Sequence, residues 1–308
     1  MASSPVIRIG TRGSPLALKQ ARMVRDRLMT ARGLAEDAIE IRVIRTSGDM
    51  NQTRPLADIG GKALFTKEIE DALLRGDIDL AVHSAKDMQT ILPDGLVLAA
   101  CLPREDPRDV FVSPKAKTLA ALPHGAKIGT ASPRREALVK RMRPDLQAVL
   151  LRGNVETRLL KIADGVADAT ILALAGLKRL GLEGAATAIL ETDEFLPAAG
   201  QGAIAIEARD DDSSRALATT IDDGATTTAL IAERAFLAAL DGTCKTPIAA
   251  HAQVTGDQVS FRGLIVKPDG SVSFETTRIG SIGDARALGA DAGLELKARG
   301  GPDFFAAG

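Results

Sequence analysis

The sequence predicts an α/β protein built from two related units and a small C-terminal unit of antiparallel strands. Short apolar runs alternate with capped helix patterns along most of the 308 residues, which is typical of βαβ architecture. Two motifs recur later in the chain in the same order, which indicates two units of related topology. Three runs of alternating apolar and polar residues, at 248–255, 258–266 and 271–279, predict a three-stranded antiparallel sheet.

The first repeated motif is IGTRGSP at 9–15, which returns as IGTASP at 128–133. In each copy a strand runs into a serine followed by proline, the residue types preferred at the N-cap and first position of a helix. The second motif is GDIDLAVHS at 76–84, which returns as GVADATILA at 165–173. Each unit is therefore predicted to contain a strand, a capped helix, a second helix that ends at glycine, and a buried strand.

A polar segment follows the apolar run at 78–82, which is predicted to be a central parallel strand. The polar residues are His83, Ser84, Lys86 and Asp87, and ligands of open parallel sheets bind beyond the carboxyl ends of strands. A lone carboxylate there can stabilise a cationic intermediate. The alternatives are that Asp87 pairs with Lys86 or an arginine, and that His83 is a packed, hydrogen-bonded residue.

Arginines recur where predicted strands turn into helices. Arg134 and Arg135 lie in the first turn of a helix that Ser132 begins, where cations oppose the helix dipole and backbone N–H groups favour an anion. The other residues at such openings are Arg12, Ser14, Arg152, Asn154 and Arg158. Guanidinium groups bind carboxylates and phosphates. No Walker A or dinucleotide-binding glycine motif is present, so several carboxylates are the better interpretation of the anion.

Composition excludes several classes of function. The chain has no Trp and no Tyr, and its net charge is −1, which disfavours a nucleic-acid partner. No apolar run is long enough to span a bilayer, and the start of the sequence leaves no room for a signal peptide. Cys101 and Cys244 lie far apart, which predicts a reducing cytoplasmic location. The spacing of the histidines and cysteines predicts no metal site.

The segment at 102–109, with two prolines and alternating charges, and the segment at 195–209, rich in Pro and Gly, are predicted to cross between domains, which makes the first domain discontinuous. A polar stretch at 46–63 is predicted to be a long binding loop, and 222–228 a linker before an amphipathic helix. The predicted domains are domain 1 at 1–102 and 203–221, domain 2 at 103–202, and domain 3 at 222–308.

Cys244 lies on a predicted loop beside Lys245, which would favour its thiolate. An inert buried thiol is the usual fate of a cysteine. A dyad with His251 is a further alternative, but no oxyanion-binding or orienting group accompanies it.

The chain resembles the porphobilinogen deaminase (hydroxymethylbilane synthase) family in ordered blocks along almost its whole length. The blocks are TRGSPLAL at 11–18, GGKALFTKE at 60–68, AVHSAKD at 81–87, REDPRD at 104–109, GTASPRR at 129–135, LRGNVETRL at 151–159, LALAGLKRLGL at 172–182, LPAAGQGAIAIE at 196–207 and GTCKTPI at 242–248. The resemblance implies two domains of the type II periplasmic-binding-protein kind and a small C-terminal α+β domain.

The resemblance also implies an activity and a cofactor. Members join four porphobilinogen molecules head to tail on a dipyrromethane primer, release ammonia at each step, and free hydroxymethylbilane with water. Dipyrromethane is built from substrate and attached through a thioether, here at Cys244. The implied enzyme is a cytoplasmic monomer of tetrapyrrole biosynthesis, without nucleic acid, membrane or metal.

Site residues are implied where the blocks match, with Asp87 as the catalytic carboxylate. The implied cofactor contacts are Ser84, Lys86, Thr130, Ser132, Arg134, Arg135, Arg152 and Asn154. The implied substrate contacts are Arg12, Ser14, Lys62, Phe65, Arg158, Arg179 and Gln201. The chain departs from the family pattern at Met88, Gln89, Ala131 and Pro133.

The competing hypothesis is a non-enzymatic anion-binding module of the periplasmic-binding-protein type. It would explain the repeated motifs and the arginines. It would not explain a third domain that carries Cys244, and an exported version should show a signal peptide.

Overall fold

A computed structural model describes residues 7–50, 65–243 and 246–305, which divide into two compact units. The first unit comprises 7–50, 65–105 and 203–227, and the second comprises 106–202, 228–243 and 246–305.

The strands of the described residues are three to nine residues long, and several of them are almost entirely buried and rich in aliphatic side chains. In chain order they are β1 (Ile7–Thr11), β2 (Ile39–Val43), β3 (Leu80–Ser84), β4 (Leu96–Cys101), β5 (Asp109–Val112), β6 (Lys127–Thr130), β7 (Gln147–Leu150), β8 (Ala169–Ala173), β9 (Ala188–Leu190), β10 (Ile204–Arg209), β11 (Ile248–Thr255), β12 (Gln258–Val266) and β13 (Ser273–Ser281). The α-helices are α1 (Pro15–Arg32), α2 (Ser47–Met50), α3 (Lys67–Leu74), α4 (Pro133–Met142), α5 (Val155–Ala163), α6 (Leu174–Leu180), α7 (Asp212–Thr219), α8 (Gly224–Ala239) and α9 (Ala285–Gly300).

Two five-stranded mixed sheets have the same topology, with the orders β2-β1-β3-β10-β4 and β7-β6-β8-β5-β9. In the first, β1 pairs in parallel with β2 and β3, and β10 returns antiparallel between β3 and β4. In the second, β6, β7, β8, β5 and β9 repeat that arrangement. The related topologies predicted from the repeated motifs are therefore confirmed. A third sheet, β11-β12-β13, is antiparallel, as predicted.

The prediction for the strand at 78–82 was wrong at its ends. β3 continues to Ser84, whose backbone still pairs with Ile204 of β10. His83 remains within the sheet because its ring is buried and bonds to Glu207 on the neighbouring strand, with 3.1 Å between Nε2 and Oε2. A histidine with a buried partner can therefore extend a strand that the polarity of the sequence appeared to end.

The repeated serine–proline motifs begin helices in both units, as predicted. The Ser14 hydroxyl accepts a hydrogen bond from the Ala17 N–H at 3.3 Å, at the start of α1. The Ser132 hydroxyl accepts one from the Arg135 N–H at 3.4 Å, at the start of α4. Each hydroxyl satisfies a backbone N–H that the first turn of the helix leaves without a partner.

The prediction of a linker at 222–228 was wrong, because α8 begins at Gly224. Asp223 Oδ1 accepts a hydrogen bond from the Thr226 N–H at 2.8 Å and so caps the helix. The neighbouring Asp222 Oδ1 accepts a hydrogen bond from the Cys101 N–H at 2.8 Å, which ties the residue before the cap to β4.

The predicted loop at 46–63 is described only over its first residues. Ser47–Met50 form a single helical turn, where the sequence predicted no regular structure. The Ser47 N–H donates a hydrogen bond to Glu68 Oε1 on α3 at 2.9 Å. Residues 51–63, which include Lys62, lie outside the described part of the chain.

The C-terminal sheet contributes to two apolar cores of the second unit. Leu264 and Val266 on β12 are buried in a cluster with Phe111 and Phe195. A second cluster lies against α8 and α9, where the rings of Phe236 and Phe261 pack at a centroid distance of 5.2 Å. Aromatic side chains of this kind provide much of the burial that stabilises a fold.

We expect Gly289→Ala to lower the stability of the second unit. A Cβ at Gly289 on α9 would lie 1.9 Å from the backbone oxygen of Ala232 on α8, so the helices must separate. The expected loss is about 1–3 kcal/mol, the usual cost of overpacking. Thermal denaturation should show a lower Tm for this variant. The control is Gly184→Ala, where a Cβ meets nothing within 4 Å; equal Tm values for both variants would contradict the prediction.

Candidate active site

The predicted catalytic residue, Asp87, lines a cavity in the first unit. β3 ends at Ser84, and one 3-10 turn over Ala85–Asp87 then exposes the carboxylate. Residues that line this cavity include Arg12, Ser14, Gln20, Phe65, Ser84 and Asp87. The structure therefore brings together five of the predicted site residues, all within one unit.

The Asp87 carboxylate is available to a ligand. Among the described residues, none donates a hydrogen bond to it or forms an ion pair with it. The alternative that Asp87 pairs with Lys86 or an arginine is therefore not observed within the described chain. An unneutralised carboxylate in a cavity can stabilise positive charge on a bound molecule.

Arg12, which lines the same cavity as Asp87, stacks on an aromatic ring. Its Cζ atom lies 4.2 Å from the centroid of Phe65, a cation–π contact. Arg12 follows β1, and Phe65 precedes α3, so the contact joins two segments of the first unit. The ring limits the orientations of the guanidinium group at the cavity wall.

Gln20 is a cavity residue that the sequence analysis missed. Its side chain is buried on α1, where Nε2 donates a hydrogen bond to the Ser84 hydroxyl at 2.9 Å. The available signal was a polar residue within the apolar stripe of Ala21, Val24 and Leu28. Gln20 therefore fixes Ser84, a predicted cofactor contact, at the end of the central strand.

Buried polar groups support the segment that carries Asp87. Gln89 Nε2 donates hydrogen bonds to both carboxylate oxygens of Glu70, at 3.1 and 2.8 Å. Burial raises the pKa of Glu70, because the charged form loses its hydration. Gln89, a departure from the family pattern, therefore ties the segment after Asp87 to α3.

An arginine pair in the second unit shares one buried carboxylate. The distance from Arg134 Nη2 to Asp109 Oδ2 is 2.6 Å, and that from Arg135 Nη2 to Asp109 Oδ1 is 2.8 Å. The exposed fractions are 4% for Arg134, 6% for Arg135 and 0% for Asp109, so neither arginine is a solvated surface residue. Burial lowers the pKa of Arg134, because a desolvated cation is less stable.

The arginine pair retains capacity for a further anion. The Nε–H groups of Arg134 and Arg135 are buried, and neither has a hydrogen-bond partner among the described residues. Two guanidinium groups also share the single negative charge of Asp109. Unsatisfied buried donors and excess positive charge are both relieved by a bound carboxylate.

The remaining predicted contacts of the second unit lie near the starts of α4 and α5. Thr130 Oγ1 accepts a hydrogen bond from the Ser132 N–H at 3.1 Å. Asn154 caps α5, and Arg158 Nε donates to the Gly153 carbonyl at 2.8 Å. Arg152 is buried, and its desolvation lowers its pKa. Arg152 and Arg158 therefore add two cations near the start of α5 to the arginine pair near the start of α4.

Arg179 and Gln201 donate hydrogen bonds to groups of their own unit. Arg179 Nη2 donates to the Gly202 carbonyl at 2.6 Å. Gln201 is fully buried and donates to the Pro107 carbonyl at 2.7 Å and to Asp109 Oδ1 at 2.9 Å. Gln201 thus contacts the carboxylate on which the arginine pair converges.

Cys244, like Lys62, lies outside the described residues. The residues that flank it are described: the Thr243 N–H donates to Thr246 Oγ1 at 2.8 Å, and the Thr246 N–H donates to the Thr243 carbonyl at 3.1 Å. Thr246 lies shortly before β11, which is anchored in the C-terminal sheet.

The described residues carry neither a metal-binding cluster nor a helix suited to a bilayer. No group of three or more His, Cys, Asp or Glu side chains within 7–50, 65–243 and 246–305 could hold a metal ion. In the same part of the chain, no helix combines the length and apolar character needed to cross a membrane.

Two family models match the chain over most of its length. Residues 7–216 match the porphobilinogen deaminase dipyromethane cofactor binding domain, and residues 227–298 match the porphobilinogen deaminase C-terminal domain. The chain belongs to the porphobilinogen deaminase family. The porphobilinogen deaminase of Nitrobacter winogradskyi is 63% identical over 298 residues, which cover 96% of this chain and 94% of the relative. That of Paracoccus denitrificans is 54% identical over 300 residues, which cover 97% and 96%.

Membership of the porphobilinogen deaminase family establishes the activity. The chain is a transferase that acts on porphobilinogen as a hydroxymethylbilane synthase in tetrapyrrole biosynthesis, and its cofactor is dipyrromethane. The competing hypothesis of a non-enzymatic binding module is not favoured, because the match to the deaminases includes the C-terminal domain.

Solved structures of distant proteins resemble part of the fold. A nutrient binding protein from Burkholderia cenocepacia bound to methionine has a TM-score of 0.45 at 18% identity, covering 70% of this chain and 91% of that chain. A periplasmic substrate-binding protein from Coxiella burnetii has a TM-score of 0.44 at 16% identity, covering 72% and 94%. The sheet topology confirms the α/β part of the predicted fold class, with two related five-stranded sheets and a three-stranded antiparallel C-terminal sheet.

Proposed function

We propose that the family reaction is carried out here by Asp87 as the catalytic carboxylate and by arginines as the groups that bind the carboxylates of the pyrroles. The observation that carries this proposal is the buried pair of Arg134 and Arg135, which share one carboxylate and retain unpaired Nε–H groups. Such a pair fits an acidic ligand, and each pyrrole of the cofactor and product carries two carboxylates.

The arginine pair fits the carboxylates of dipyrromethane. Hydrogen bonds between guanidinium and carboxylate are charge-assisted and about twice as strong as neutral ones. When bound, dipyrromethane supplies the pyrrole carbon to which the first porphobilinogen is joined. The proposed cofactor contacts are Ser84, Lys86, Thr130, Ser132, Arg134, Arg135, Arg152 and Asn154.

Asp87 would stabilise the positive charge that develops on the pyrrole during each coupling. Departure of ammonia from porphobilinogen leaves a cationic pyrrole, and a nearby carboxylate lowers the energy of that cation. The exposed Asp87 carboxylate, without a partner among the described residues, suits this role. Arg12 stands in the same cavity and would hold a substrate carboxylate. The proposed substrate contacts are Arg12, Ser14, Lys62, Phe65, Arg158, Arg179 and Gln201.

The point of attachment is proposed to be the thiol of Cys244. The adjacent Lys245 favours the thiolate, the form of cysteine that makes a thioether. Neither alternative, an inert buried thiol or a dyad with His251, provides a point of attachment for the cofactor. The other cysteine, Cys101, is fully buried within β4.

Three properties stay predictions from the sequence. The chain is proposed to be a monomer and to act in the cytoplasm. Residues 222–308 are proposed to be a domain separate from 103–202, with 1–102 and 203–221 as the discontinuous first domain.

We expect Arg134→Gln and Arg135→Gln to lower cofactor occupancy by at least about ten-fold, because each variant removes a charge-assisted contact to a carboxylate. Intact-mass spectrometry of the purified protein measures the fraction that carries the added dipyrrole. The matched control is Arg143→Gln at the end of the same helix, where Arg143 pairs with Asp145 at 2.7 Å. Full occupancy in both Arg134→Gln and Arg135→Gln would refute the role proposed for the pair.

A further inference from the structure

Arg134 and Arg135 both bind the carboxylate of Asp109, a residue that is not among the predicted site residues. Asp109 Oδ2 accepts a hydrogen bond from Arg134, at 2.6 Å. Asp109 Oδ1 accepts one from Arg135 at 2.8 Å and one from Gln201 at 2.9 Å. The Asp109 side chain has an exposed fraction of 0%, so these contacts are shielded from water. A shielded ion pair holds its geometry better than an exposed one, because water does not compete for the donors.

The Asp109 carboxylate is held on a rigid element. Asp109 begins β5, and its backbone is in register with Ala173 on β8 and Leu190 on β9. Gln201 braces the segment before it through the Pro107 carbonyl at 2.7 Å. The carboxylate therefore has little freedom to follow a guanidinium group that moves.

Each arginine side chain is consequently held at its guanidinium group. Arg134 Nη1 also donates to the Leu196 carbonyl at 2.7 Å, and its guanidinium lies 5.6 Å from the centroid of the Phe195 ring. Arg135 is bound through Nη2 alone among the described residues. Both side chains thus keep donor groups in a set orientation while one terminal nitrogen of each is committed to Asp109.

We infer that Asp109 is a positioning residue for the cofactor: it orients the guanidinium groups of Arg134 and Arg135 so that they bind the carboxylates of dipyrromethane. The inference rests on the proposed role of the arginine pair. Asp109 neutralises one of two positive charges, so a ligand carboxylate still meets net positive charge. Asp109 is therefore expected to act through the arginines, without touching substrate or cofactor.

The test is the rate at which apoprotein assembles its cofactor from porphobilinogen, followed by intact mass. Apoprotein is prepared in a host that makes no porphobilinogen. We expect Asp109→Asn, which keeps the side-chain volume and removes the charge, to assemble about ten-fold more slowly, because small misplacements of binding groups are costly. The matched control is Asp145→Asn, which removes the other Asp–Arg pair at the end of α4 and should assemble at the normal rate. Far-UV circular dichroism confirms that each protein is folded.

A double-mutant cycle separates positioning from general destabilisation. The variant Arg134→Lys/Arg135→Lys keeps both cations but loses the forks by which the guanidinium groups are oriented. If Asp109 works through the two arginines, Asp109→Asn should slow assembly by less than about three-fold in the Arg134→Lys/Arg135→Lys background, since coupled residues are not additive. A structural role predicts the same ten-fold effect in both backgrounds, and that result would overturn the inference.

A second comparison applies if Asp109→Asn does not fold. The double variant Asp109→Asn/Arg134→Gln removes one charge of each sign and is compared with Arg134→Gln alone, which keeps the pair of Asp109 and Arg135. Slower assembly in the double variant supports the inference, and equal rates overturn it. If Arg134→Gln and Arg135→Gln both assemble normally, the proposed function of the pair fails instead, so the two failures are distinguishable.

Discussion

Replacement of Asp87 by alanine is expected to abolish turnover of porphobilinogen while the protein still folds and carries its cofactor. The carboxylate is exposed at the end of the central strand and supports no hydrogen bond among the described residues, so its removal costs little stability. Loss of a single charge-stabilising group typically lowers kcat by about 10²–10³-fold, so turnover should fall to about 1% of the wild-type rate or below. The measurement is steady-state consumption of porphobilinogen.

Two further substitutions at Asp87 separate charge from size. Asp87→Asn keeps the volume and loses the charge, so we expect it to be as inactive as Asp87→Ala. Asp87→Glu keeps the charge but displaces it, so residual activity is expected. The matched control is Asp94→Ala, which removes another exposed carboxylate of the same unit and should leave turnover unchanged. Near-normal rates for Asp87→Asn would refute the electrostatic role.

Replacement of Cys244 by alanine is expected to eliminate the covalent cofactor and all activity. The native protein should be heavier than its sequence by the bound dipyrrole, and Cys244→Ala should have the mass of the sequence alone. Without a thiolate, no thioether forms, and the first porphobilinogen has no primer. Intact-mass spectrometry under denaturing conditions detects only covalent attachment, so loosely held pyrroles do not confuse the result.

Cys101→Ala is the control for that experiment. Cys101 is the other cysteine of the sequence and is fully buried in β4, where a small apolar side chain can replace it. This variant should keep both the added mass and the activity. Retention of the added mass by Cys244→Ala, or its loss from Cys101→Ala alone, would refute the assignment of the attachment site.

Local interactions explain which parts of the fold the sequence predicts well. Ser14 and Ser132 each cap a helix through a backbone N–H three residues away, so a short motif contains both partners. The alternating apolar and polar residues of β11, β12 and β13 are an equally local signal, and each of these strands pairs with its neighbour along the chain. The start of α8 was missed although Asp223 caps it, because the glycine and threonines that follow have low helix propensity.

Contacts over long sequence distances explain what was missed. Asp109 lies 25 residues before Arg134 and 92 residues before Gln201, and no periodic pattern links positions so far apart. Gln20 and Ser84 are separated by 64 residues. The resemblance to a family identifies residues that bind a ligand, but it does not reveal the buried residues that hold them.

The most direct test of the account is the intact mass of Asp87→Asn before and after addition of porphobilinogen. We predict that this variant carries the dipyrrole at the start, because its arginine pair and Cys244 are unchanged, and that porphobilinogen adds no further pyrrole units to it. The wild-type protein under the same conditions should gain mass in steps of one pyrrole unit. Stepwise gain by Asp87→Asn at the wild-type rate would contradict the account.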